Sequence, residues 1–152
     1  MKTVSKILII HGPNLHLLGK REPEIYGNFT LDQIDQELKL KASENKIEIE
    51  TFQSNSEGDI VEKITTTTYD LLIINPAAYT HTSVAIRDAL LGVDKPTVEV
   101  HLSNIYKRED FRKKSLINDV VIGTIAGFGK ESYFLAFSAA LTLLKDKLSE
   151  TK

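Results

Sequence analysis

Cysteine is absent from the chain, which removes disulfides, thiolate nucleophiles and cysteine-based metal sites from consideration. Long hydrophobic runs are missing too. No apolar stretch approaches the roughly 20 residues that span a bilayer, and the N-terminus has no apolar leader core. Neither sign of charge is in excess. With 19 Lys and Arg against 21 Asp and Glu the formal net charge is −2, so electrostatics gives no reason to expect nucleic acid or an anionic membrane as partner. The first long loop contains neither Gly-x-Gly-x-x-Gly nor Gly-Lys-Ser/Thr, so a phosphate cradle is missing. No Gly-x-Ser-x-Gly turn presents Ser83 or Ser103 as a nucleophile, and loop serines of this kind serve as helix caps or backbone partners. His81 and His101 lack a third ligand at short spacing, which speaks against zinc. The default expectation is a cytoplasmic protein acting on a small molecule, although a cysteine-free chain suits other compartments equally.

What is present is an ordinary globular composition. The chain has 152 residues, 41% of them hydrophobic and 26% charged, enough for one domain spanning 1–152 with a substantial core. Five short β-branched runs alternate with helical patterns, which predicts an α/β, flavodoxin-like fold: a five-stranded parallel sheet with helices on both faces. The strands are expected at 6–10, 47–52, 71–74, 97–100 and 120–125. The second, which alternates Ile47, Ile49 and Thr51 with Glu48 and Glu50, belongs at or near an edge. Leu71-Leu-Ile-Ile74, apolar throughout, belongs at the centre. A first helix over 31–43 places Leu31, Ile34, Leu38 and Ala42 on one face behind the capping box Thr30-Leu-Asp-Gln33. A second helix holds Ile60, Val61 and Ile64 and ends in the β-branched run Thr65–Thr68. A third carries Val84, Ala85, Ala89 and Leu90, with Gly92 as its C-cap. The last covers 130–148.

Polar residues collect after strands one, three and four, which share one edge of a parallel sheet. The first of these loops, His11 to Gly27, is far longer than the ~2–6 residues that a strand-to-helix connection needs. It reads either as a mobile lid with polar contacts or as an ordered surface excursion. Asn14, Arg21, Tyr26, Asn75, His81, His101, Ser103 and Arg112 form the converging set. With phosphate, metal and serine chemistry weakened, cofactor-free acid–base catalysis is what remains. His101 follows Glu99 by two residues, on the same side of the pleat. The pair suits a general acid whose tautomer a carboxylate fixes, and equally a core histidine satisfied by its neighbour. Tyr26 is either a packing aromatic or a base, since a guanidinium such as that of Arg21 favours the phenolate over the phenol.

The ordered blocks along the chain resemble those of the type II 3-dehydroquinate dehydratases. They are Gly12-Pro-Asn-Leu15, Leu17-Leu-Gly-x-Arg-Glu-Pro-x-x-Tyr26-Gly27, Gln53-Ser-Asn-Ser-Glu-Gly58, Asn75-Pro-Ala-Ala-Tyr-Thr-His-Thr-Ser-Val-Ala-Ile-Arg-Asp-Ala89, Glu99-Val-His-Leu-Ser-Asn-Ile105 and Arg108-Glu-x-Phe-Arg112, with the Gly123 and Gly127 region. The resemblance covers nearly the whole chain. It implies reversible loss of water from 3-dehydroquinate to give 3-dehydroshikimate in the shikimate pathway, with no metal, nucleotide, Schiff base or other cofactor. By position, Tyr26 matches the base that removes the proton alpha to the ketone, and Arg21 the arginine that favours its ionisation and helps the loop close. Asn14 matches the residue that stabilises the enolate through a water, and His101, held by Glu99, the acid that protonates the departing hydroxyl. Asn75, His81, Ser103, the Leu102 backbone and Arg112 match the positions that grip the carboxylate and hydroxyls.

The unrelated second enzyme type for this reaction uses a lysine imine, and no lysine in the matched blocks stands as a plausible nucleophile; Lys20 occupies a position the pattern leaves free. Two residues depart from the pattern. His16 stands where asparagine is usual and Ala77 where glycine is usual, in the turn after strand three. The resemblance also implies a homo-oligomer, a dodecamer built as a tetramer of trimers, in which Asp88 reaches a neighbouring site. From the sequence alone, Asp88 reads equally well as a solvated helix carboxylate.

Overall fold

The computed structural model describes residues 4–150, with side chains as far as Lys147. The ends of the expected 1–152 domain, 1–3 and 151–152, lie outside the described residues. Strands β1 (Lys6–His11), β2 (Glu48–Gln53), β3 (Leu71–Asn75), β4 (Thr97–His101) and β5 (Gly123–Ala126) form one sheet in the order β2-β1-β3-β4-β5. Every pairing is parallel. The expected five-stranded parallel sheet is therefore present, with the charged second strand at an edge and the wholly apolar third at the centre.

Alternation along the strands divides the core into two layers. Ile7, Ile9, Leu71, Ile73, Val98 and Val100 pack against α2 (Leu31–Glu44) and α5 (Glu131–Glu150). Leu8, Ile10, Leu72 and Ile74 pack against α3 (Glu57–Thr66) and α4 (Val84–Val93) on the other face. A short α1 (Pro23–Tyr26), with no buried residue, interrupts the first loop. No helix among the described residues is long and apolar enough to cross a membrane.

Local chemistry sets the helix ends. The Thr30 hydroxyl accepts from Gln33 N at 3.2 Å while the Gln33 side chain accepts from Thr30 N at 2.9 Å, the reciprocal box the sequence predicts. Ser83 caps α4 by accepting from Ile86 N at 2.9 Å. In the last turn of α3, Thr65 and Thr66 donate their hydroxyls back to carbonyls of the preceding turn, and the backbone becomes extended at Thr67.

Two expected boundaries are corrected. Gly92 lies inside α4, and Asp94 takes the left-handed cap position at φ 51°, its N–H donating to Leu90 O at 3.1 Å. Aspartate is one of the few non-glycine types that enters this region readily. The fifth strand begins at Gly123, not at Val120. Arg87 on α4 donates to Leu116 O at 2.9 Å and to Asp119 Oδ2 at 3.0 Å, anchoring the incoming segment to α4. Val120 and Val121 then turn over Ile117 O, and their side chains join the α3/α4 layer. Their β-branched character serves core packing, and tertiary anchoring overrides strand propensity.

Candidate active site

Because every strand runs the same way, the carboxyl ends of β1, β3 and β4 open onto one edge. Their loops enclose a cleft of about 170 Å³. Since a cavity of ~150 Å³ holds benzene, this one has room for a single substituted six-membered ring. Asn14, Arg21, Tyr26, Asn75, His81, His101, Leu102, Ser103 and Arg112 all line it, together with Arg108. Close backbone approach shapes its floor. Gly12 N donates to Asn75 O at 2.8 Å, and a Cβ at Gly12 would stand 2.4 Å from Pro76 O, so only glycine is accommodated there.

On one side of the cleft is Tyr26, half-buried between two guanidinium groups. Arg108 Nη1 donates to its phenol oxygen at 2.8 Å. Arg21 and Arg108 carry their guanidinium carbons 5.2 and 5.3 Å from the ring centroid. The sequence places Arg21 in the same loop as Tyr26, but the direct hydrogen bond to the phenol comes from Arg108. Two guanidinium groups therefore lie against the one phenol that lines the cleft.

His101 lines the same cleft, with Glu99 beside it, both buried at the end of β4. His101 Nε2 donates to Glu99 Oε2 at 2.6 Å. Ser115 Oγ donates to the same carboxylate at 3.0 Å and Thr124 Oγ1 at 3.2 Å. A buried carboxylate needs such a donor set. With Nε2 committed to Glu99, Nδ1 is the imidazole nitrogen available for proton transfer. His81 is fixed the other way round: its Nδ1 donates to Lys114 O at 2.7 Å. Burial holds His81 below the ordinary histidine range, with Arg112 and His101 pushing in the same direction. Neutral His81 with a proton on Nδ1 leaves Nε2 as an acceptor.

Asn14, at the mouth of the cleft, has left-handed backbone at φ 69°. Its N–H donates to Asn55 Oδ1 at 3.0 Å. Asn55 is fixed in turn by Gln53 Nε2 at 3.1 Å, and its own carbonyl accepts from Tyr79 OH at 2.7 Å. The Gln53–Gly58 block thus supports Asn14 from behind. Arg112 Nε is paired with Glu109 Oε2 at 3.0 Å. Asp88 does not enter this cleft; it sits exposed on α4.

A family model described as "Dehydroquinase class II" matches residues 5–141. The chain belongs to the class II dehydroquinase family. Over 141 residues, 93% of this chain and 97% of the relative, it is 55% identical to a 3-dehydroquinate dehydratase of Francisella philomiragia subsp. philomiragia. It is 52% identical over the same shares to a 3-dehydroquinate dehydratase of Francisella tularensis subsp. novicida. Among solved structures, it is similar to the type II dehydroquinase of Butyrivibrio crossotus DSM 2876, with TM-score 0.88 and 42% identity over 91% of this chain and 98% of that one. Ala77, where the resemblance leads to an expectation of glycine, has a strained backbone. Ala77 sits at φ 53°, and its N–H donates to Asn75 Oδ1 at 3.0 Å. A left-handed conformation costs an L-residue roughly 1–2 kcal/mol, of which glycine's extra unfolded-state entropy returns about 0.4–1 kcal/mol. Ala77→Gly is therefore expected to stabilise the fold by about 0.5–1 kcal/mol, visible as a Tm rise of about 1–4 °C in thermal denaturation. An unchanged or lowered Tm would show that the strain is relieved elsewhere. The other departure, His16, is an exposed residue of the 3₁₀ turn Leu15–Leu17.

Proposed function

We propose that this chain catalyses the reversible dehydration of 3-dehydroquinate to 3-dehydroshikimate in the shikimate pathway, through an enolate, without metal or nucleotide. The observation that carries the reading is that one ring-sized cleft is lined both by Tyr26, hydrogen-bonded to Arg108, and by His101 of the buried Glu99–His101 couple. Family membership over nearly the whole chain supplies the substrate class.

In this mechanism the Tyr26 phenolate accepts the proton alpha to the ketone, and the electron pair moves onto the ketone oxygen as an enolate. Asn14 stabilises that oxygen through a water. The enolate then re-forms the ketone as the carbon–hydroxyl bond breaks, and the leaving hydroxyl takes a proton from imidazolium His101 and departs as water. Glu99 offsets the charge of that imidazolium. Preorganised donors placed where charge develops cost no reorganisation during the reaction. Arg112, Ser103, the Leu102 backbone and Asn75 hold the carboxylate and hydroxyls, and the neutral His81 contributes Nε2 as a hydroxyl acceptor. The segment around α1 closes over the bound ring and excludes water from the enolate. The protein assembles as a dodecamer, a tetramer of trimers in the cytoplasm, with Asp88 of one subunit completing a neighbour's site. Light scattering is expected to give twelve times the chain mass, and a monomer mass would overturn the assembly.

The test adds purified protein to 3-dehydroquinate with a chelator present and follows the ultraviolet absorbance of the conjugated enone. Rapid appearance that survives borohydride treatment in the presence of substrate is expected. Appearance abolished by borohydride would mean an imine route, and no appearance from folded protein would overturn the activity.

A further inference from the structure

One buried chain of hydrogen bonds behind the cleft has no part in the mechanism above. His11, the last residue of β1, is fully buried and faces the α2/α5 layer. Its Nε2 lies 2.7 Å from Asp35 Oδ1 on α2, and its Nδ1 lies 2.7 Å from the hydroxyl of Tyr133 on α5. Tyr133, also fully buried, accepts in turn from Asn75 Nδ2 at 3.2 Å. Asn75 lines the cleft at the end of β3, paired in register with His11.

The direction of the hydrogen bond at each end of this chain is fixed. Ala77 N–H is an obligate donor, so Asn75 Oδ1 accepts and Nδ2 must be directed at Tyr133. A carboxylate accepts only, so His11 donates from Nε2, and Nδ1 faces the Tyr133 hydroxyl. The Tyr133 hydroxyl satisfies both neighbours by accepting from Asn75 and donating to His11. Burial keeps that hydroxyl protonated, raising Tyr133 above the ordinary tyrosine range. Asn75 spends one amide hydrogen on Tyr133 and keeps the second, and the residue itself lines the cleft.

We propose that Asp35, His11 and Tyr133 form a positioning relay that fixes the Asn75 amide as a hydrogen-bond donor to an oxygen of the bound substrate. The proposal rests on the functional reading above. None of the three touches substrate; they act through Asn75. Loss of the relay frees Asn75 to rotate its amide about the remaining Ala77 bond, weakening a contact made equally in ground and transition states. Such a loss raises KM with little change in kcat.

The experiment is a thermodynamic cycle on the full-length protein, with KM, kcat and Tm measured for wild type, Tyr133→Phe, Asn75→Ala and the double variant. Tyr133→Phe is expected to raise KM about tenfold, the worth of one hydrogen bond, with kcat within about a factor of three. In the Asn75→Ala background the same substitution is expected to raise KM no further, because the relay then has nothing to position. Asp35, at the solvent side of the chain, gives a second entry should Tyr133→Phe fold poorly. Asp35→Ala is expected to raise KM, and Asp35→Asn, which still offers an oxygen to His11 Nε2, to restore it. A purely structural chain would lower Tm and leave KM unmoved, or give additive effects in the cycle, and either result overturns the relay. Wild type that fails to dehydrate 3-dehydroquinate would overturn the functional reading and the relay together, whereas active wild type with an additive cycle overturns the relay alone.

Discussion

Tyr26→Phe is expected to lower kcat by about 10³–10⁴-fold while leaving KM and Tm close to wild type, on the scale set by loss of one positioned base. The substitution removes a single oxygen. That oxygen's one hydrogen bond within the described residues comes from Arg108 Nη1, at a half-buried position, so little folding energy depends on it. The ring stays and keeps its packing against the α2/α5 layer and both guanidinium groups. Proton abstraction, however, finds no substitute in the neighbouring Arg21 and Arg108, whose charged guanidinium groups have no lone pair to accept a proton. Arg108→Lys provides the companion measurement. It keeps the charge but loses the guanidinium fork, and a kcat decrease of about 10-fold or more, smaller than that of Tyr26→Phe, is expected. Stopped-flow or steady-state enone absorbance reads both. Turnover by Tyr26→Phe within tenfold of wild type would remove Tyr26 as the base, whatever its surroundings.

How far the sequence anticipates this site depends on whether the signals are local. Ile7–Ile10 and Leu71–Ile74 are continuous apolar runs, and such runs mean strands buried on both faces, which is where β1 and β3 lie. Glu99 and His101 are two apart on a strand, so their shared face follows from the pleat, and the structure brings them to 2.6 Å. Arg108 was harder to find. It is 82 residues from Tyr26, and a reading of the loop by itself offers Arg21 first. The only available hint was its place in the block ending at Arg112. In the sequence His11 begins the loop pattern, yet it is the last strand residue, and its partners come from α2 and α5, at separations no periodicity encodes. The fifth strand starts later than its pattern suggests for a related reason: Val120-Val-Ile122 has strand-like residues, but Arg87 ties the segment just before it to a different element. Long-range polar anchors are the common factor in these cases. Residue pattern reports which face is apolar and says nothing about which distant donor arrives.

His101→Ala is expected to lower kcat by about 10³-fold in the dehydration direction, because hydroxide is a poor leaving group without a proton donor. Glu99→Gln distinguishes a general acid from a histidine that merely fills the core. A histidine that serves as general acid donates as imidazolium, and the cleft that His101 lines also holds Arg21, Arg108 and Arg112. A further positive charge is tolerable there because the Glu99 carboxylate lies directly behind the ring, itself steadied by Ser115 and Thr124. An amide in place of that carboxylate keeps the shape and one acceptor oxygen but removes the compensating charge, so the imidazolium is disfavoured and kcat is expected to fall about 10²-fold. If His101 and Glu99 act as one unit, the double variant is expected to be no slower than His101→Ala alone, since the carboxylate has no work once the imidazole is gone. Additive losses would separate the two residues, and Glu99→Gln with normal turnover would reduce the pair to a packing contact. The deciding measurement is kcat for the four proteins, each first shown by circular dichroism to be folded.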